Sequence, residues 1–142
     1  MNRLRCLAAA LALVPLVAGC NKGSSPTDLT SPDSIAINSI APAAGTKLAP
    51  GSTVTFTTSV GYTLVSASSA TITLVIEDQN DQPLTVTQPQ LTVAAGTGTV
   101  SLTGPVTIPA TGVTTLQVFI PLTPAGSTGS PTIAAALYPV GT

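Results

Sequence analysis

The chain has 142 residues, of which 44% are hydrophobic, only 6% are charged, and none is histidine or tryptophan; an ordinary soluble domain carries roughly 25% charged residues. Four Lys/Arg stand against five Asp/Glu. That balance excludes the basic footprint by which proteins neutralise nucleic-acid phosphates, and the length suits one domain with one core.

The chain opens with the short basic segment Met1-Asn2-Arg3-Leu4-Arg5, followed by the apolar run Cys6–Ala18, interrupted only by Pro15. Such a run fits the hydrophobic region of a secretory signal and falls short of the roughly 20 residues a spanning helix needs. No later stretch approaches that length; the nearest, Ile133–Val140, is short and contains Pro139. The run ends in Leu16-Val17-Ala18-Gly19-Cys20. Small residues let the backbone enter a peptidase cleft, and the Cys20 thiol is able to carry a thioether-linked diacylglyceryl group. This order resembles the lipobox of bacterial lipoproteins, with Val17, Ala18 and Gly19 at −3, −2 and −1; Val17 stands where Leu is commoner.

The resemblance implies a cleaved signal peptide over 1–19 and Cys20 as the lipidated mature N-terminus. Each buried CH₂ of an acyl chain contributes roughly 0.8 kcal/mol, and two chains give stable anchoring. Asn21 follows the lipidated position, where Asp would favour inner-membrane retention, so the resemblance implies the outer membrane in a Gram-negative host. An ordinary secretory signal with Gly19 and Cys20 adjacent by chance is the alternative. Removing 1–19 takes away Arg3, Arg5 and Cys6, leaving Lys22 and Lys47 against five carboxylates, a net charge of −3. Lipidation then occupies the last cysteine, so no disulfide is expected.

Residues 20–34 comprise Cys20 and a tether, NKGSSPTDLTSPDS, in which Leu29 is the only large apolar residue. Such a segment buries too little surface to offset its ordering entropy, and a coil of this length spans roughly 20 Å. Asp28 and Asp33 read as solvating charge.

From Ser34 the period is two. Val54, Phe56, Thr58, Val60, Tyr62 and Leu64 alternate with Thr53, Thr55, Thr57, Ser59, Gly61 and Thr63. Ile72, Leu74 and Ile76 repeat the pattern, as do Leu116, Val118 and Ile120, opposed by Gln117 and Phe119. Alternation of this kind predicts half-buried strands, and β-branched Thr suits their outer face. Gly, Pro and β-branched residues interrupt every candidate helix. Runs bounded by turn residues predict about seven strands: 35–40, 52–64, 70–77, 84–88, 91–95 or 98–103, 113–121 and 132–139. The expected turns lie at 42–45, 50–51, 78–81, 96–98, 110–112 and 125–130. The expectation is an all-β antiparallel sandwich over 35–142. Its layout resembles the immunoglobulin-like and fibronectin type III-like domains of bacterial surface proteins, without the Cys–Trp–Cys core of antibody domains. Tyr138 resembles the tyrosine corner of such sandwiches; the alternative is an ordinary core residue.

Catalytic chemistry finds few residues. A Ser or Thr nucleophile needs a base, usually His. A Ser–Lys pair would have to use Lys47, in the loop Gly45–Gly51, or Lys22 in the tether. Zinc sites use His or Cys. Glu77, Asp78 and Asp81 form the one polar constellation. They are weak candidates for a hard cation, which takes six to eight oxygens, or for a glycan; the plainer reading is a polar hairpin tip. No resident metal, cofactor or small-molecule substrate is expected, and the chain is not expected to be an enzyme. By parity, Phe56 and Tyr62 point inward and Phe119 outward. The expectation is a non-catalytic, lipid-anchored envelope protein whose domain contacts an envelope protein through a strand edge or loops. The alternatives are a spacer without a ligand, or weak cation or glycan binding at 77–81.

Overall fold

The computed structural model describes residues 32–84 and 88–142; the signal segment, Cys20 and most of the tether lie outside them. The six strands are β1 (Ser34–Ala41), β2 (Thr53–Thr73), β3 (Val75–Asp78), β4 (Gln90–Thr107), β5 (Thr115–Pro124) and β6 (Thr132–Pro139). All pairings between strands are antiparallel, β1–β2, β2–β4, β2–β5, β3–β5 and β5–β6. The result is an all-β, immunoglobulin-like sandwich in which one hydrogen-bonded sheet folds into two layers.

Six strands stand among the described residues where about seven are expected, and the other expected one, 84–88, falls partly outside them; two expected breaks are nevertheless displaced. Segment 52–64 and the first part of 70–77 are joined in β2, which is 21 residues long, while 75–77 belong to β3. The alternative segments 91–95 and 98–103 both lie in β4, which is 18 residues long. Leu64 pairs with Gly96 and Ser69 with Ala94, so four residues, Val65–Ser68, face Ala95 alone. This bulge bends the ribbon, as bulges do where strands pass between layers. Gly96, at φ +111°, takes up the bend on the β4 side. The turn expected at 96–98 is therefore a bend inside a continuous strand. The strand expected at 84–88 falls partly outside the described residues; at its start, the Leu84 amide donates to the Ile76 carbonyl at 2.8 Å.

The first layer comprises β1, the leading half of β2 and the trailing half of β4. The second comprises the trailing half of β2, β3, β5, β6 and the leading part of β4. Even-numbered residues of β2 and β5 point inward, as their alternation predicts: Phe56, Val60, Leu64, Ile72, Leu116, Val118, Ile120 and Leu122 are all buried. Leu74 is buried too, but it breaks the ladder between β2 and β3, its amide donating to the Pro89 carbonyl at 2.8 Å. Thr58 is a buried polar residue, and its hydroxyl is satisfied by donating to the Leu102 carbonyl at 3.3 Å.

Phe56 of the first layer meets Tyr138 of the second edge-to-face, with centroids 5.0 Å apart and planes at 72°. Tyr138 is fully buried, and its hydroxyl donates to the Pro42 carbonyl at 2.7 Å. A tyrosine corner bonds to backbone a few residues upstream. Here the acceptor is 96 residues away, so Tyr138 ties the last strand to the loop after β1. Burial pushes the phenol pKa above its ordinary 10.0.

Phe56→Ala should destabilise the fold by about 3–5 kcal/mol through cavity formation. Tyr138→Phe should cost about 1–3 kcal/mol, the desolvation cost of an unpartnered Pro42 carbonyl. Urea unfolding of the two variants checks both values; a Tyr138→Phe midpoint equal to that of the parent chain would show the hydroxyl contact to be dispensable.

Candidate functional site

The acidic hairpin tip joins β3 to the segment running back along it. Asp78 is spent on its own turn: its carboxylate accepts from the Asn80 amide at 2.7 Å and the Gln82 amide at 3.0 Å. These bonds hold the carboxyl pKa below its ordinary value. Asp81 adopts the left-handed conformation, φ 58°, which a short polar side chain tolerates. Gln79 fastens the tip to the neighbouring loop, donating to the Gly112 carbonyl at 2.8 Å and accepting from the Thr114 amide at 3.1 Å. Glu77 turns onto the outer face of the second layer. There burial first, then the negative charges of Asp81 and Asp78, raise its pKa. Among the described residues no three His, Cys, Asp or Glu side chains gather as a metal group would. Of the three carboxylates, it is Asp78 whose hydrogen bonds shape the turn.

Asp33 corrects its reading as idle solvating charge. One carboxylate oxygen accepts from the Val65 amide at 2.7 Å and the Ser66 amide at 3.0 Å; the other meets the Ser66 hydroxyl. The bulge leaves those amides without ladder partners, and Asp33 supplies the acceptor. The Ser66 hydroxyl and the Val65 amide hold its pKa below the usual value. The sequence gives no local sign of this, because 32 residues separate donor and acceptor.

Two surfaces remain for contact. On the outer face of the second layer, a shallow groove of about 240 Å³ is lined by Val75, Glu77, Phe119, Pro121, Pro131 and Ile133. Its register follows from pairing: Val75 faces Phe119, Phe119 faces Ala135, and Pro121 faces Ile133. Phe119 is half-buried on the outward parity, as expected, while Ile133 is 50% and Leu137 56% exposed. The second surface is the outer side of the first layer, whose ladder of hydroxyls includes Thr53–Thr107 at 3.1 Å and Thr57–Thr103 at 3.4 Å. A depression of about 480 Å³ around Gly61 is lined by residues that include Ser34, Tyr62, Thr63, Thr97, Gly98 and Thr99. Tyr62 is half-buried against the core, its ring over Gly98; a Cβ at Gly98 would lie 2.8 Å from that ring.

Lys47, the lone described cation, donates from Nζ to the Thr142 carbonyl. Cys20, the expected lipidation site, lies outside the described residues. A scan against family models finds no match, and a search of curated proteins finds no relative.

Acid titration should be biphasic. Glu77 has a raised folded pKa, so its neutral form favours folding. Mild acidification through the Glu77 range should raise Tm, a gain that Glu77→Gln removes. Asp33 and Asp78 have lowered folded pKa values, so their stabilisation is complete above about 3.9, the unfolded value, and is lost as pH falls through their folded values. Asp33→Asn and Asp78→Asn should flatten that later loss. Thermal melts from pH 7 to pH 2 read both limbs, and a monotonic fall in the parent chain would contradict the Glu77 assignment.

Proposed function

We propose that this chain is a lipid-anchored, non-catalytic envelope protein whose immunoglobulin-like domain makes protein contacts. The anchor reading rests on the order of basic start, apolar run and lipobox ending at Cys20. With Asn21 next, that reading favours the outer membrane in a Gram-negative host. The non-catalytic reading draws on how the polar groups are used. Asp33 and Asp78 accept backbone amides, Gln79 clamps a loop, and Lys47 meets a carbonyl.

The observation that carries the contact reading is the uncovered apolar strip of Val75, Phe119, Pro121, Ile133 and Leu137 across β3, β5 and β6. Contiguous exposed apolar surface marks interaction sites more often than scattered single residues do. The strip is continuous because Phe119 has β-sheet neighbours on both sides that present Val75 and Ala135. Glu77 borders it and supplies a polar edge. A partner's apolar side chains would be desolvated against Phe119 with no lysine or arginine from this domain nearby.

Two measurements test the reading. Cys20→Ala should abolish incorporation of labelled fatty acid and leave uncleaved precursor; undiminished labelling would refute the anchor. Ile133→Glu with Leu137→Glu should leave Tm within a few degrees, since exposed substitutions usually change stability by about 0.5 kcal/mol or less. The same pair should abolish cross-linking of the full chain to its envelope partner. Cross-linking unchanged by the pair would reject the strip as the contact, and no cross-linked species from the parent chain would favour a spacer.

A further inference from the structure

We infer that the outer edge of β4 is a homotypic contact, in which two copies of this chain pair β4 with β4, antiparallel, about a two-fold axis at Ser101. The inference goes beyond the protein-contact reading above, because it concerns a second surface, on the other layer.

The direction of the free backbone groups follows from one anchor point. The Ile108 amide donates to the Ser52 carbonyl at 2.9 Å, and the Ile108 carbonyl accepts from the Gly51 amide at 3.0 Å. Ile108 therefore faces β2. The register from Thr107 back to Gly96 is unbroken, and hydrogen-bonding direction alternates along a strand. Even-numbered residues thus face β2, while Thr97, Thr99, Ser101 and Thr103 aim both N–H and C=O away from it. Among the described residues β4 pairs only with β2. Pro105 falls on the outward parity, where its missing N–H costs no bond within the sheet. It closes one end of the free edge, and the bend at Gly96 closes the other.

Natural edge strands usually carry a charge, a bulge or a cover that blocks self-pairing. The β1 edge has a bulge between Ile37 and Ser39, with Asp33 just before the strand. Over Thr97–Thr103, β4 has neither bulge nor charge. No charged residue follows Asp81 anywhere in the chain, although the described charges, Asp33, Lys47, Glu77, Asp78 and Asp81, are mostly negative. The domain is acidic as a whole and neutral along this edge. A second acidic copy meets no like charge there.

Side chains select a copy of the same strand over an arbitrary one. With Ser101 on the axis, Thr99 of one copy lies opposite Thr103 of the other. This extends the hydroxyl pairing already present within the domain at Thr57–Thr103 and Thr53–Thr107. On the inward side Val100 lies opposite Leu102, which would cover the half-buried Val100. A partner must therefore alternate hydroxyl and aliphatic residues in this register, and the two-fold operation provides that by construction. Such an interface is isologous and closes at two copies. Anchoring on one membrane raises the effective concentration of the copies.

The test uses the full-length chain in its membrane. Ser101 is exposed, and residues opposed in a hydrogen-bonded antiparallel pair have Cα atoms about 5.5 Å apart, within disulfide reach. With diamide as oxidant, S101C thiols from two copies should give up their two electrons and two protons to diamide and form one S–S bond. A reducible species of twice the chain mass is expected for S101C and not for T57C, whose cysteine lies one strand further in. Adding T99K and T103K places cations opposite each other and should lower the dimer yield roughly tenfold. T99K with T103E places opposite charges there and should restore it. A dimer yield no greater than that of the parent chain, equal dimer with T57C, or failure of the charge pair to restore cross-linking would overturn the inference. An S101C adduct with a different protein would overturn the second copy as partner and leave the protein-contact reading standing. Failure of that broader reading shows separately, in the Cys20 labelling and the Ile133/Leu137 variants.

Discussion

The fold depends on a single ribbon that does not break where it bends. β2 and β4 run together from Thr53–Thr107 to Thr73–Gln90, belonging to one layer at one end and the other layer at the opposite end. Between these ends, Val65–Ser68 bulge against Ala95. A bulge leaves amides outside the ladder, and at this exposed corner Asp33 supplies the acceptors for Val65 and Ser66. One carboxylate at the entrance to the domain thus steadies the corner through which both layers are joined, while Gly96 takes the conformation the opposing strand requires. Phe56 against Tyr138 then locks the layers face to face.

From that corner follows the distribution of chemistry over the surface. The few polar and charged groups of the described domain are largely consumed in local contacts: Asp33 at the bulge, Asp78 and Gln79 at the hairpin tip, Lys47 at the Thr142 carbonyl. What is left outward is of two kinds. The first layer presents Thr and Ser hydroxyls, paired across strands. The second presents Val75, Phe119, Pro121, Ile133 and Leu137. On the proposed reading, the surface that matters is one of backbone edges and side-chain faces.

The inside-outside assignment was legible because side chains in a strand alternate without exception as long as the ladder is regular. Phe56, Val60 and Leu64 went inward, and Phe119 went outward, on parity alone. Strand continuity was less legible. Gly96-Thr97-Gly98 carries the composition of a turn, yet the ladder runs through it, since a partner strand that bulges needs a flexible residue opposite. The Asp33 cap was hidden for a related reason. Its acceptor role depends on where a distant bulge lies, and Pro32-Asp33-Ser34 has the same composition as the tether before it.

The amino-acid sequence by itself determined the strand class, the inward faces and the small set of residues able to do chemistry, because these depend on local periodicity and on composition. Only the tertiary structure decided that the ladder runs unbroken through 91–95 and 98–103, that Tyr138 reaches Pro42, and that β4 keeps a neutral edge free over Thr97–Thr103. Those features are relations between residues far apart in the chain. They follow from how two layers share one bent ribbon, which no short window of sequence contains.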